Sequence, residues 1–188
     1  SCLVGSEMCI RDRALPIISQ MKVQCCPVLT SVFSNHTGYP SFYFDDYTEK
    51  MPSYIAEWKK LNLHFECIAA GFLGSERQIE IVKNFIRDFK DETTKVLIDP
   101  VMGDHGRTYQ TFTPEMCSQM KQLAHFADIL TPNLTEACIL TDTPYHDGHW
   151  QMSELSELAL SLIAMGPSKV VITGVSMGTF IGNVICES

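Results

Sequence analysis

The feature that most constrains the fold of this chain is the alternation of short apolar runs with segments of helical period. Residues 65–70, 95–99 and 169–173 are short runs with apolar centres, which fit buried strands better than helices. In residues 75–90, by contrast, apolar residues recur every three or four positions, as on a helix with one buried face. Strands that alternate with such helices are typical of βαβ units. The chain is therefore predicted to have a three-layer α/β/α fold on a mostly parallel sheet.

Capping residues mark where the predicted helices begin. Ser75 and Gln78 have the spacing of a capping box, and Thr113-Pro114 is a cap followed by a first-turn proline. Further elements are predicted as helices at residues 14–21, 52–61, 113–127, 133–140 and 155–165, and as strands at residues 23–33, 128–131 and 179–186. No repeat, low-complexity run or linker interrupts this pattern, so one domain is expected.

Charge and cysteine content limit the classes of partner and compartment. The 188 residues include 14 Lys and Arg against 22 Asp and Glu, and the net charge of -8 argues against nucleic acid or an anionic membrane as a partner. The longest run without these residues, 23–44, contains prolines and polar residues and does not fit a membrane span. The eight cysteines have irregular spacing and no CxxC pair, which predicts reduced thiols in a cytoplasmic protein.

Residues 1–13 are expected to be foreign to the protein. Within them, LVGSEMCIRDR resembles the translation of a transposon adapter used to prepare sequencing libraries, and the segment shows no helical or strand period. A short native leader is the alternative, but the apolar core and cleavage site of a signal peptide are missing. Residues 14–188 are therefore predicted to be an incomplete domain that starts within a helix and lacks the first strand of its fold.

Polar residues follow several predicted strands, and in parallel sheets ligands bind beyond the carboxyl ends of the strands. In DPVMGDHG, residues 99–106, Asp99 and Asp104 lie beside two glycines at such an end. Glycines let the backbone approach a ligand closely, and carboxylates suit a hydrated Mg²⁺ that bridges nucleotide phosphates. For Asp99 alone, the alternative is a cap of the local turn.

Two further segments have the composition of a ligand site. In TPNLTE, residues 131–136, Asn133 and Glu136 have the spacing of a helix cap, and a helix start can also bind an anion. In FSNHTGY, residues 33–39, aromatic rings flank small hydroxyl and amide groups, which suits a planar polar heterocycle. An ordinary turn is the alternative for the second segment, and His36 is expected to be structural rather than a general base.

Together and in this order, the segments resemble the pyridoxal kinase branch of the ribokinase-like superfamily. The resemblance is carried by SNHTGYP from Ser34, GFLGS from Gly71, DPVMGDHG from Asp99, TPNLTEA from Thr131 and VVITG from Val170, and it extends over residues 14–188. The hydroxymethylpyrimidine kinase branch of thiamine synthesis shares the DPVM strand end and is the nearest alternative. That branch typically has another motif in place of SNHTGY.

The resemblance implies ATP-dependent phosphorylation of the hydroxymethyl group of pyridoxal, pyridoxine or pyridoxamine. It implies substrate contacts from Phe33, Thr37, Gly38 and Phe72. It implies ATP contacts from Asp99, Asn133, Glu136, Thr173 and Gly174. It places the cations near Asp104, Thr131 and Glu136, with Mg²⁺ as the main ion and K⁺ or Na⁺ as further candidates. It also implies a homodimer for the full-length parent.

One family motif is absent from the sequence. Members of the family continue to a GxGD motif, whose backbone N–H groups stabilise the transferring phosphoryl group and whose Asp is the catalytic base. The sequence contains no Gly-x-Gly-Asp, so the base is expected beyond Ser188 and this fragment is expected to be inactive alone. Two other classes stay open, which are a non-catalytic nucleotide-binding module and a structural protein whose sheet edge forms a dimer contact.

Overall fold

The computed structural model describes residues 2–6, 14–35, 39–110 and 112–188, with the backbone alone for residues 2–6. The chain divides into two compact units, Ser1–Lys95 and Val96–Ser188. Its helices are α1 (Leu15–Gln20), α2 (Met51–Lys60), α3 (Glu76–Phe89), α4 (Pro114–Ala124), α5 (Leu134–Thr141) and α6 (Met152–Ile163). Its strands are β1 (Cys2–Ser6), β2 (Cys26–Phe33), β3 (Phe44–Asp46), β4 (Cys67–Ala70), β5 (Lys95–Ile98), β6 (Gly103–Asp104), β7 (Arg107–Thr108), β8 (Ile129–Leu130), β9 (Lys169–Met177) and β10 (Phe180–Glu187).

In the first unit the strands run in the order β4-β1-β2-β3. β1 is parallel to both β2 and β4, and β3 is antiparallel to β2. The amphipathic period of α3 has its expected result, since Ile79, Val82 and Ile86 are at most 1% exposed. Phe85 of the same helix packs against Phe65, with ring centroids 6.0 Å apart. This apolar face fixes α3 and thereby the position of its first turn.

β1 differs from the sequence-based expectation. Cys2–Ser6 forms a strand between β2 and β4, with Val4 opposite Val28 on one side and Ala70 on the other. The expectation that residues 1–13 have no strand was therefore wrong for Cys2–Ser6. The physical reason is that a short apolar run satisfies backbone groups of β2 and β4 that would otherwise lack partners. The adapter origin of residues 1–13 and the domain limits 1–13 and 14–188 stay predictions.

In the second unit β5, β8 and β9 are parallel neighbours, and β10 is antiparallel to β9. The predicted inner stripe of α4 is buried, with Met120 and Leu123 at 0% exposure. Leu155, Leu158 and Leu162 of α6 are buried as well. Both units thus combine helices with mostly parallel strands, and the predicted α/β fold is confirmed.

None of the helices in the described part of the chain combines the length and the apolar character that a membrane crossing requires.

We expect a proline at position 4 to destabilise the protein. Val4→Pro removes a backbone N–H from a strand that is paired on both sides, which sheets tolerate poorly. A loss of about 2 kcal/mol would lower the melting temperature of a chain of this size by roughly 4–8 °C. Val4→Ile keeps the N–H group and the β-branched side chain and serves as the control. Equal melting temperatures for the proline and isoleucine variants would contradict the placement of β1 in the sheet.

Candidate functional site

Predicted site residues of the second unit lie at the ends of adjacent strands. Asp99 directly follows β5, and Thr131 directly follows β8 and donates its backbone N–H to Ile98 O at 3.0 Å. Asn133 forms a parallel bridge with Thr173 of β9. The strand ends therefore meet at one edge of the sheet, as ligand sites of parallel sheets do.

A buried carboxylate joins the start of α5 to the loop after β5. Glu136 is 3% exposed, and its Oε2 accepts from Asn133 N at 2.8 Å while its Oε1 accepts from Met102 N at 3.1 Å. Asn133 returns the bond, since its Oδ1 accepts from Glu136 N at 2.9 Å and its Nδ2 donates to Gly103 O at 2.8 Å. The capping box predicted for Asn133 and Glu136 is confirmed, and it also fixes the neighbouring loop.

The two carboxyl groups at this edge bind protons more tightly than usual. Burial raises the pKa of Glu136 from its usual 4.5 to about 7. The negative charge of Asp99 raises it further, whereas the backbone N–H donors lower it. Burial alone raises the pKa of Asp99 from 3.8 to about 6. A cation beside these groups would favour their ionised forms, because it offsets the cost of burying negative charge. The electrostatics of the edge therefore suit a bound cation.

The DPVMGDHG segment folds into a small hairpin that the sequence did not predict. β6 and β7 pair with Asp104 opposite Arg107, and Gly106 N donates to Thr135 Oγ1 of α5 at 2.9 Å. A Cβ atom on Gly103 would lie 2.2 Å from Arg107 O, so the hairpin has room for glycine only. Asp104, a predicted cation-binding residue, is exposed on this hairpin and accepts from His105 N at 2.8 Å.

Sequence reasoning missed Tyr109, which lies just beyond the hairpin. Its backbone N–H donates to Met102 O at 2.9 Å. Burial raises the pKa of the Tyr109 phenol, and the negative charges of Asp104, Glu136 and Asp99 raise it further. The three predicted acidic residues thus share one neighbourhood. An aromatic residue at the end of an otherwise polar loop was the signal that could have pointed to it.

Gly174, a predicted ATP-binding residue, lies within β9 beside Thr173. Its φ of +70° is in the left-handed region, which favours glycine. Its backbone N–H donates to Asn183 Oδ1 of β10 at 3.2 Å, while Thr173 N donates to Pro132 O at 2.8 Å. Thr173 is therefore tied to the loop between β8 and α5, and Gly174 to the last strand.

The predicted substrate residues belong to the first unit. Phe33 ends β2, and its ring centroid lies 4.9 Å from that of Phe44 and 5.8 Å from that of Phe42. Phe72 follows β4, and its carbonyl accepts from Thr30 Oγ1 at 3.3 Å. Thr37, Gly38 and His36 lie outside the described residues, so their predicted roles stay predictions.

Hydrogen bonds join the described residues on the two sides of residues 36–38. Ser34 Oγ accepts from Tyr43 N at 2.8 Å and donates to Asn35 Oδ1 at 2.5 Å. Asn35 Nδ2 in turn donates to Ser41 O at 3.0 Å. Ser34 and Asn35 of SNHTGY therefore have a structural role, because they hydrogen-bond to Tyr43 and Ser41 on the other side of residues 36–38.

No group of three or more His, Cys, Asp or Glu side chains that could hold a metal occurs among the residues that the structure describes. Mg²⁺ in nucleotide sites usually takes one or two carboxylates and completes its shell with water and phosphate oxygens. The carboxylates of Asp99, Asp104 and Glu136 are of the kind that such an ion takes in a nucleotide site.

Comparison with known proteins gives the family. Residues 15–187 match the model of the family described as phosphomethylpyrimidine kinase. The chain therefore belongs to the phosphomethylpyrimidine kinase family, whose model spans nearly all of it.

Individual relatives include pyridoxal kinases. A pyridoxal kinase of Arabidopsis thaliana is 31% identical over 161 residues, which are 81% of this chain and 49% of that protein. Pyridoxal kinase from Lactobacillus plantarum, whose crystal structure is known, is 28% identical to this chain in sequence. The two structures match with a TM-score of 0.87 over 98% of this chain and 67% of that one. The chain spans about half the length of the curated relatives it matches. The resemblance to pyridoxal kinases is thereby confirmed, together with the ribokinase-like fold.

A third relative is known in two crystal forms. It is a candidate phosphomethylpyrimidine kinase from Bacteroides thetaiotaomicron, 40% identical with a TM-score of 0.91 over 100% of this chain and 67% of that one. Its second form, with pyridoxal, is 41% identical with a TM-score of 0.86 over 95% of this chain and 64% of that one.

We expect Asp99→Asn to gain stability relative to the unchanged chain as the pH rises. A carboxyl group whose pKa is raised by folding stabilises the fold at low pH, and that contribution is lost between pH 3.8 and about 6. Asparagine cannot ionise, so the difference in unfolding free energy should grow by on the order of 1–3 kcal/mol over this range. Urea unfolding at pH 4 and pH 6.5 measures it.

The control for this comparison is Asp104→Asn, which changes an exposed carboxylate of the same loop. The assignment of the raised pKa to burial of Asp99 would be contradicted in two cases. One is a difference in unfolding free energy for Asp99→Asn that does not change with pH, and the other is an equal change with pH for Asp104→Asn.

Proposed function

We propose that the protein of which this chain is a part transfers the γ-phosphoryl group of ATP to the hydroxymethyl oxygen of a B6 vitamer, either pyridoxal, pyridoxine or pyridoxamine. The observation that carries this proposal is the convergence of Asp99, Asn133 and Glu136 at neighbouring strand ends of the second unit. Membership of a kinase family and the pyridoxal kinase relatives support the choice of reaction.

In this proposal the second unit provides the nucleotide half of the reaction. Asp99, Asn133, Glu136, Thr173 and Gly174 would line the triphosphate, with cations near Asp104, Thr131 and Glu136. Bound Mg²⁺ would neutralise phosphate charge, and K⁺ or Na⁺ could serve beside it. Because Glu136 already accepts two backbone N–H groups, we assign it contact with a cation through water rather than direct coordination.

The first unit provides the vitamer half. Phe33 and Phe72 would contact the faces or edges of the pyridine ring, and Thr37 and Gly38 its substituents. Aromatic side chains bind flat heterocycles through stacking and edge contacts. The relative from Bacteroides thetaiotaomicron, which has a crystal form with pyridoxal, supports this assignment.

The chemistry would consist of positioning and charge neutralisation. The hydroxymethyl oxygen attacks the γ-phosphorus, the bond from that phosphorus to the β,γ-bridging oxygen breaks, and the hydroxyl proton passes to a base. The products are a phosphate monoester and ADP. We propose that the base lies beyond Ser188, and that the full protein is a cytoplasmic homodimer.

Titration calorimetry with ATP in the presence of Mg²⁺ tests the nucleotide half on this chain. We expect saturable binding that disappears when the metal is chelated. Asp99→Ala should weaken it by about 10–100-fold, the effect of losing a charge-assisted contact. Asp147→Asn changes an exposed carboxylate elsewhere in the second unit and should leave affinity unaltered. If ATP with Mg²⁺ does not bind, the nucleotide half of the proposal is wrong.

Hydroxymethylpyrimidine kinase is the second candidate function, because the matching family model and one relative carry the pyrimidine name. Direct titration with pyridoxal and with 4-amino-5-hydroxymethyl-2-methylpyrimidine separates the two. We expect tighter binding of pyridoxal, since the SNHTGY loop is the motif of the pyridoxal branch. Tighter binding of the pyrimidine would favour the thiamine-pathway reaction instead.

A further inference from the structure

Gln78 is a buried amide that bonds to three separate segments of the first unit. It lies in the first turn of α3 and is 1% exposed. Its Oε1 accepts from Gly74 N at 2.7 Å, in the loop after β4. Its Nε2 lies 2.8 Å from Thr30 O of β2 and 2.9 Å from Thr48 Oγ1, in the turn after β3. One side chain thus connects the middle of β2, the loop after β4 and the turn after β3.

These bonds are not needed to begin the helix. Ser75 caps α3, because its Oγ accepts from Gln78 N at 3.2 Å. In a reciprocal capping box the glutamine side chain would return to the Ser75 backbone. Here Oε1 instead bonds to the preceding residue, Gly74. The amide therefore orders the loop in front of the helix rather than the helix itself.

The connected segments are those that carry Phe33 and Phe72. Thr30 precedes Phe33 by three residues in β2, and Gly74 follows Phe72 by two. A second bond joins the same segments, since Thr30 Oγ1 donates to Phe72 O at 3.3 Å. Thr30 is 0% exposed and Thr48 8%, so water does not compete for their bonds. The Gln78 amide and its partners therefore hold the two aromatic segments together, in addition to the pairing of β2 and β4 with β1.

We propose that Gln78 is a positioning residue for the vitamer: by holding the Thr30 and Gly74 backbones, it sets the separation of the segments that bear Phe33 and Phe72. This inference rests on the proposed function of those two residues. A flat ring held between aromatic side chains tolerates little change in their spacing, because dispersion attraction falls steeply with distance. The affinity for the ring should therefore depend on Gln78 without any contact between them.

A primary amide is the group that this position requires. It offers a donor and an acceptor on one planar group, whereas glutamate keeps only acceptors and leucine has neither. Asp46 Oδ1 also lies 3.2 Å from Nε2, so a carboxylate at position 78 would face a second carboxylate. Both Gln78→Leu and Gln78→Glu are expected to loosen the Gly71–Gly74 loop against β2, where the bond from Thr30 Oγ1 to Phe72 O would remain.

The test compares pyridoxal affinity with ATP affinity in the same variants. For Gln78→Leu we expect pyridoxal to bind about ten-fold more weakly, the effect of one lost hydrogen bond of ordinary strength, and ATP with Mg²⁺ to bind within about two-fold of the unchanged chain. Partial unfolding would weaken the binding of both ligands alike. A loss of pyridoxal affinity without a loss of ATP affinity therefore identifies a positioning role. Gln122→Leu, on an exposed face of α4, is the matched control.

The outcomes are distinguishable. If the original chain binds pyridoxal and Gln78→Leu binds it equally well, the inference is overturned and the proposed function is left intact. An unchanged chain that binds no pyridoxal overturns the vitamer half of the proposed function and the inference with it. If Gln78→Leu does not fold, Gln78→Met decides, because methionine has a similar length but can bond neither to Thr30 O nor to Gly74 N. Equal affinity in that variant would then overturn the inference.

Discussion

The sheet edge of the second unit depends on the buried carboxyl group of Glu136, which accepts hydrogen bonds from the backbone N–H groups of two segments. Glu136 accepts from Met102 N and Asn133 N, so a single carboxylate holds the first turn of α5 against the loop after β5. Without it, two backbone donors would lose their partners at a strand end, where unpaired donors are costly. The hairpin and the capping residue Asn133 are both bonded to this junction. Burial raises the pKa of the same carboxyl group to about 7, although the backbone hydrogen bonds that order the edge act to lower it.

In both units a helix side chain orders a loop, but the chemical group that does so differs. In each, the third residue of a helix that follows a strand reaches back to order a preceding loop. The second unit uses the ionisable Glu136, whose two oxygens accept from Asn133 N and Met102 N. The first unit uses the neutral Gln78, whose donor group can lie beside the Asp46 carboxylate. A neutral amide can donate to Thr30 O and accept from Gly74 N at the same time, which a carboxylate cannot do.

The sequence was informative where local pattern decides the structure. The period of α3, the caps at Ser75 and Thr113, and the capping box at Asn133 were all predictable, because they depend on residues within one or two turns. The hairpin β6–β7 was not, since it has no alternating pattern and is fixed by the bond between Gly106 and Thr135. β1 was missed because backbone pairing with β2 and β4, rather than its own pattern, defines it. Likewise, the raised pKa of Asp99 comes from its burial, which a local sequence pattern does not reveal.

Gly103 and Gly106 have a consequence for how variation in this chain should be interpreted. One faces the Arg107 carbonyl so closely that no side chain fits, and the other combines a positive φ with the Tyr145 ring 2.5 Å from where a Cβ would lie. In a library of random single replacements, both positions would tolerate almost nothing although neither offers a reactive group. Depletion at these two sites would report the lack of space around the backbone. It should not be taken as a sign of participation in chemistry.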